Sequence, residues 1–100
     1  MANPRLDAIG IVMRFLKEVA DERPPQRRLE IHPDMMLLDA DSKLDSLELV
    51  TIAAGIEEAL QRQLGVELDL SEVAATQPEH FRTPNTLALW LATVDERHVA

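Results

Sequence analysis

The side chains able to do chemistry in this chain are few, and most of the obvious chemistries are excluded. Cysteine is absent, so there is no disulfide framework, no thiolate metal site and no nucleophilic thiol of the protein's own. His32, His80 and His98 lack the mutual spacing of a zinc site. Asp39-x-Asp41-x-x-x-Asp45 begins like a calcium loop, but Lys43 falls at the third ligand position, Leu44 at the turn glycine and Val50 at the twelfth-position carboxylate. A calcium ion would lack its ligands there. No nucleophile and base pair and no Gly-rich phosphate loop is recognisable, so no catalytic residue and no metal ligand is expected, and an enzyme is not the expected class. What remains is Ser46, in the stretch Leu44-Asp45-Ser46-Leu47-Glu48-Leu49-Val50, where a Pro- and Asp-rich segment gives way to the longest helical pattern in the chain. Capping alone would select Ser or Asp at a helix start, and on that account Ser46 contributes about 1 kcal/mol.

The helix that must position Ser46 is expected from about Ser46 to Leu64, with Gly65 as its left-handed stop. At about 100° per residue, Leu49, Ile52, Ala53, Ile56, Leu60 and Leu64 make one apolar stripe, which is the core face. Leu47, Ala54, Glu58 and Gln61 fall on the opposite side. A core needs no leucine at position 47, so an apolar residue beside Ser46, bordered by Glu48, Glu57 and Glu58, points to a surface that other proteins bind. Gly55 inside the helix costs roughly 1 kcal/mol relative to Ala, which predicts a close neighbour or simple tolerance.

The other elements frame this helix. Asn3-Pro4 is a cap followed by proline, and Leu6, Ile9, Val12, Met13, Leu16, Val19 and Ala20 keep helical spacing to about Asp21. Ile11 and Phe15 lie off that stripe and either widen the buried face or leave an apolar margin. Arg23-Pro24-Pro25 ends the helix. From about Arg23 to Leu44 no periodicity is convincing, and more than ~12–15 structureless residues in a compact domain signal function or disorder. Leu29, Ile31, Met35, Met36, Leu37 and Leu38 are apolar enough to pin this loop across the bundle. Ser71 to Ala75 and Pro78 to Phe81 read as short helical turns. Thr83-Pro84 repeats the cap-plus-proline signal for a last helix whose inner face is Leu87, Trp90, Leu91 and Val94.

Composition sets the limits. One hundred residues, 46% hydrophobic and 28% charged, suit one domain with a single core, aliphatic because only Phe15, Phe81 and Trp90 are aromatic. Arg14, Lys17 and Glu18 interrupt the one candidate signal sequence, and no run approaches the ~18 apolar residues of a membrane span, so a cytoplasmic protein is expected. The net charge of -8 is confined: residues 34 to 72 hold ten acids against two bases, whereas the segments before and after are nearly neutral. The whole excess surrounds Ser46. Such a field repels nucleic acid and anionic membrane and speeds encounter with basic protein surfaces.

The Asp-Ser-Leu triplet, set after a long loop and before an acidic, aliphatic helix, resembles the phosphopantetheine attachment site of acyl carrier proteins. The resemblance extends over nearly the whole chain: Ile31-His32-Pro33 and an apolar anchor at Leu37 or Leu38 precede the serine, Glu57-Glu58 falls where the family commonly has paired acids, and Pro78 to Pro84 is similar to the lead-in to the last helix in carriers paired with adenylate-forming ligases. It implies an all-α bundle of three main helices and one short helix, with a long loop between the first two, forming a single carrier domain over residues 1–100. It implies a 4'-phosphopantetheine arm on Ser46, flanked by Asp45 and Leu47, whose terminal thiol supplies the missing sulfur and holds an acyl or aminoacyl group as a thioester. Leu47, Glu48, Ala54, Glu57 and Glu58 are the implied partner-binding residues. The implied partners are a phosphopantetheinyl transferase, an acyl- or aminoacyl-loading ligase and a downstream synthase or transferase in lipid or secondary metabolite biosynthesis, acting on a monomer without nucleic acid or membrane. Three departures stand out: Ser42-Lys43 replaces the frequent Leu-Gly, Thr51 replaces a frequent acid, and the interval from Ser46 to Gly65-Val66-Glu67-Leu68 is about one helical turn longer. The competing expectation is an unmodified acidic helical adaptor, in which Ser46 is only a cap.

Overall fold

The computed structural model describes residues 7–38 and 42–99. Its elements are α1 (Ala8–Asp21), a 3-10 turn (Pro25–Arg27), α2 (Ser46–Leu64), α3 (Leu70–Thr76), a second 3-10 turn (Pro78–Phe81) and α4 (Pro84–Val99). Among the described residues there is no strand, and the chain is the expected all-α bundle of three main helices and one short one, with a long connection between α1 and α2.

α1 begins at Ala8, with Asp7 as its cap accepting the Gly10 N–H at 3.1 Å. The Asn3-Pro4 start and Leu6 lie outside the described residues. Ile11 is buried with Val12, Leu16 and Val19, whereas Ile9, Met13, Phe15 and Ala20 are only partly buried. The off-stripe residues therefore widen the buried face, and the reason is that α1 packs against both α2 and α4. A helix gripped on two sides needs more than one narrow apolar stripe.

α2 has the expected bounds, and its stripe is as expected: Ile52, Ile56 and Leu60 are buried, with Leu49, Ala53 and Leu64 packed at the edge. Gly65 closes it at φ 69, ψ 20, and its N–H donates to the Gln61 carbonyl. Only glycine takes that left-handed conformation without penalty. Gly55 faces a close neighbour, because a Cβ placed there would come within 2.5 Å of Phe15 Cδ1. The missing side chain lets the Phe15 ring lie directly on α2 where it crosses α1.

The described parts of the long connection, 22–38 and 42–45, are held by tertiary bonds. The Leu37 N–H donates to the Arg82 carbonyl at 2.7 Å, and the Asn85 N–H donates to the Pro33 carbonyl at 3.0 Å. The Asn85 amide also donates to Asp34 Oδ1 at 2.7 Å. Leu29, Met35, Leu37 and Leu44 are buried in the one core. Of the two candidate anchors, Leu37 is the deep one and Leu38 is partly buried. α4 starts on a reciprocal pair, Thr86 N–H to Thr83 Oγ1 at 3.1 Å and Thr83 N–H to Thr86 Oγ1 at 3.0 Å, which satisfies two otherwise orphaned donors. Leu87, Leu91 and Val94 form its inner face. Trp90 sits at the margin of the core, where its ring stacks on His80 with centroids 5.6 Å apart.

Candidate functional site

Ser46 is the first residue of α2 and is exposed. The cap is its neighbour: Asp45 Oδ1 accepts the Glu48 N–H at 2.7 Å, and Glu48 Oε1 accepts the Asp45 N–H at 3.0 Å. This reciprocal capping box fills the role that capping alone would assign to a serine here. Among the described residues nothing hydrogen-bonds the Ser46 hydroxyl, which stands at the helix start with no structural task. The value of about 1 kcal/mol assigned to Ser46 as a cap therefore belongs to Asp45.

Glu48 is occupied a second time. Arg23, at the end of α1, donates from Nε to Glu48 Oε2 at 2.8 Å and from Nη2 to Glu48 Oε1 at 2.5 Å. Nη2 also reaches the Lys43 carbonyl at 2.7 Å, and Nη1 the Arg27 carbonyl at 3.2 Å. The two side chains are only 11% and 17% exposed. The Arg23 hydrogen bonds hold the Glu48 carboxyl below its ordinary pKa; burial opposes them, while the Asp45 N–H and the charges of Arg23 and Arg27 add to them. The Glu48 hydrogen bond likewise pushes the Arg23 guanidinium up.

The remaining expected partner residues divide. Leu47 is 74% exposed, and Val50, which the apolar pattern did not single out, is 59% exposed. Ala54 is exposed, and Glu58 is exposed in an i, i+4 pair with Arg62 at 2.8 Å. Glu57 has turned inward: its Oε2 accepts the Leu70 N–H at 2.7 Å, at the first residue of α3. Leu47, Ala54 and Glu58 thus remain as an outward face, while Glu48 and Glu57 are held by internal bonds. A charge reversal at Glu57 would therefore disturb α3, contrary to the expectation that position 57 is a free surface acid.

Two hollows flank this helix start. One, of about 270 Å³, has a mixed polar and apolar wall that includes Val19, Arg23, Pro24, Asp45, Leu47 and Glu48. The other, of about 230 Å³, is apolar and runs between α2, α3 and the end of the long connection, with Leu38, Leu49, Val50, Ala74, Phe81 and Leu87 in its wall. Leu47 and Leu49 are two residues apart, so they point to opposite sides of α2 and direct the two hollows to opposite flanks of Ser46. Sequence reasoning did not foresee the apolar hollow or the Arg23 contact. The Asp45-x-x-Glu48 spacing was the available signal for the capping box.

Of the calcium reading, Asp39 and Asp41 lie outside the described residues, as does the His98 side chain, and Asp45 is engaged as the cap. Among the described residues no group of three or more acidic or histidine side chains is placed to hold a metal ion, and no helix is long and apolar enough to cross a membrane. Comparison with family models, curated proteins and solved structures finds no match to this chain.

Proposed function

We propose that the protein is a carrier that holds an acyl or aminoacyl group on a 4'-phosphopantetheine arm joined to Ser46. The observation that carries this reading is the exposed Ser46 hydroxyl, relieved of capping by Asp45 and Glu48. Its surroundings fit such an arm: Leu47 stands exposed next to it, an apolar hollow opens at Leu49 and Val50 about one turn away, and acids dominate the surrounding segment. In the modification step the Ser46 oxygen attacks the pyrophosphate of coenzyme A, forming the phosphodiester and releasing the nucleotide, while the hydroxyl proton passes to the transferase. The thiol that the bound arm supplies is what carries the acyl group, since the chain has no cysteine.

Partner enzymes dock on Leu47, Ala54 and Glu58 in this reading, and the acidic field draws in basic surfaces. The cargo is specialised and small. A hollow of about 230 Å³ lies below the roughly 300–1,000 Å³ of pockets that enclose drug-sized ligands, so it suits a short acyl unit. The test is the intact mass after incubation with a broad-specificity phosphopantetheinyl transferase and coenzyme A. One added phosphopantetheine group, lost in Ser46→Ala, supports the carrier; no addition with any transferase tried returns the protein to the acidic adaptor class.

A further inference from the structure

We propose that Arg23 is a positioning residue for the modification of Ser46, and that Glu48 serves Arg23 inside the protein instead of meeting partner enzymes. The proposal rests on the carrier reading and adds to it the means by which the serine is presented. Arg23 lies 25 residues from Glu48 in the chain, at the point where Pro24-Pro25 stops α1. Its planar guanidinium binds both Glu48 carboxylate oxygens and the Lys43 carbonyl, so one group grips the backbone three residues before Ser46 and the side chain two residues after it. A lysine, with a compact point charge, cannot make that fork.

The rest of the approach to Ser46 is held as well. Ser42 Oγ donates to the Leu37 carbonyl at 2.8 Å and accepts the Leu44 N–H at 3.2 Å, and the Leu44 side chain is buried. Asp45 is bound through both its backbone and its side chain. Ser42, Leu44 and Asp45 are therefore tied to the bundle and Lys43 is held by its carbonyl, whereas the Ser46 side chain next to them is exposed and unbonded among the described residues. An exposed ion pair contributes little, but this one is bidentate, nearly buried and joined to a loop carbonyl. With the serine pre-positioned, a transferase need not order the loop on docking, and binding is tighter for that reason. Glu48 has little left to offer outward, because three donors engage its two oxygens and its side chain is only 17% exposed.

The test measures steady-state modification by a broad-specificity transferase with coenzyme A for the native protein, Arg23→Gln, Glu48→Gln and the double variant, with backbone amide exchange recorded on each. Arg23→Gln should raise the KM for the carrier roughly tenfold, as the loss of a charge-assisted hydrogen bond implies, with kcat little changed. The double variant should be no worse than the poorer single one, because both remove the same contact. Arg23→Lys, which keeps the charge and the fold, should recover only part of the loss. Exchange at Leu44 to Leu47 should quicken in Arg23→Gln while Ile56 and Leu60 stay protected. If Glu48→Gln raises KM by the same factor with or without Arg23, Glu48 touches the transferase itself and the proposal is wrong; an unchanged KM in Arg23→Gln overturns it equally. Should the native protein never be modified, the carrier reading falls and the positioning role falls with it, while the exchange data still show whether Arg23 holds this segment.

Discussion

The contrast between Ser46→Ala and Asp45→Ala separates a modification site from a helix cap. Asp45→Ala removes the 2.7 Å acceptor of the Glu48 N–H and a negative charge from the N-terminus of α2. Lost caps cost about 1 kcal/mol, and the charge at a helix N-terminus adds about 0.3–1 kcal/mol, so a loss of about 1–2 kcal/mol is expected. In a domain of this size each kcal/mol lowers Tm by about 4–8 °C. Ser46→Ala removes an exposed hydroxyl that bonds nothing among the described residues, and alanine is the better helix former; the change should stay within about 0.5 kcal/mol. Thermal and urea unfolding followed by circular dichroism would measure both, and intact mass after transferase treatment would follow modification. Ser46→Ala should unfold like the native protein and never gain the arm, while Asp45→Ala should be less stable. If Ser46→Ala loses as much stability as Asp45→Ala, the hydroxyl is a cap after all; if it still gains the arm, the attachment site lies elsewhere.

Further outcomes follow from the same structure. Gly55→Ala should destabilise the bundle by about 1–3 kcal/mol through the clash with Phe15, despite the gain in helix propensity, and a more stable variant in urea unfolding would mean that the α1–α2 contact is looser than described. Because the folded protein lowers the Glu48 pKa, the stability lost in Glu48→Gln should be fully present above the ordinary glutamate value of about 4.3 and should vanish as pH falls through the lower folded value; a difference that persists unchanged in stronger acid would contradict the Arg23 pairing. Glu58→Lys should slow association with partner enzymes, most at low ionic strength, with unfolding unchanged. Glu57→Lys should weaken the start of α3 by about 1–3 kcal/mol, since it strands the Leu70 N–H, and equal stability of these two variants would show that Glu57 is not a structural acceptor. Loading with a short acyl chain should shift the amides of Ile52, Ala53, Leu70 and Phe81, and a small amino acid should not; shifts confined to Asp45 through Leu49 with both cargoes would leave the apolar hollow without a role.

The sequence alone determined whatever depends on neighbours along the chain. The span of α2 from Ser46 to Leu64, its inner stripe, its Gly65 stop and the Thr83-Pro84 start of α4 were all legible, because periodicity, caps and a left-handed glycine act within a turn or two. The outward direction of Leu47, Ala54 and Glu58 followed from the same periodicity. Only the tertiary structure decided which acids near Ser46 remain outward. Glu48 and Glu57 look alike in sequence, yet one is claimed by Arg23 from 25 residues away and the other by the Leu70 N–H 13 residues on. The depth of Ile11, the seating of Phe15 on Gly55 and the placing of residues 33–37 likewise depend on contacts between separate elements, such as Leu37 with Arg82 and Asn85 with Pro33. Pairings of this kind carry no periodic signature. They exist only once the helices have packed and brought distant donors and acceptors within reach.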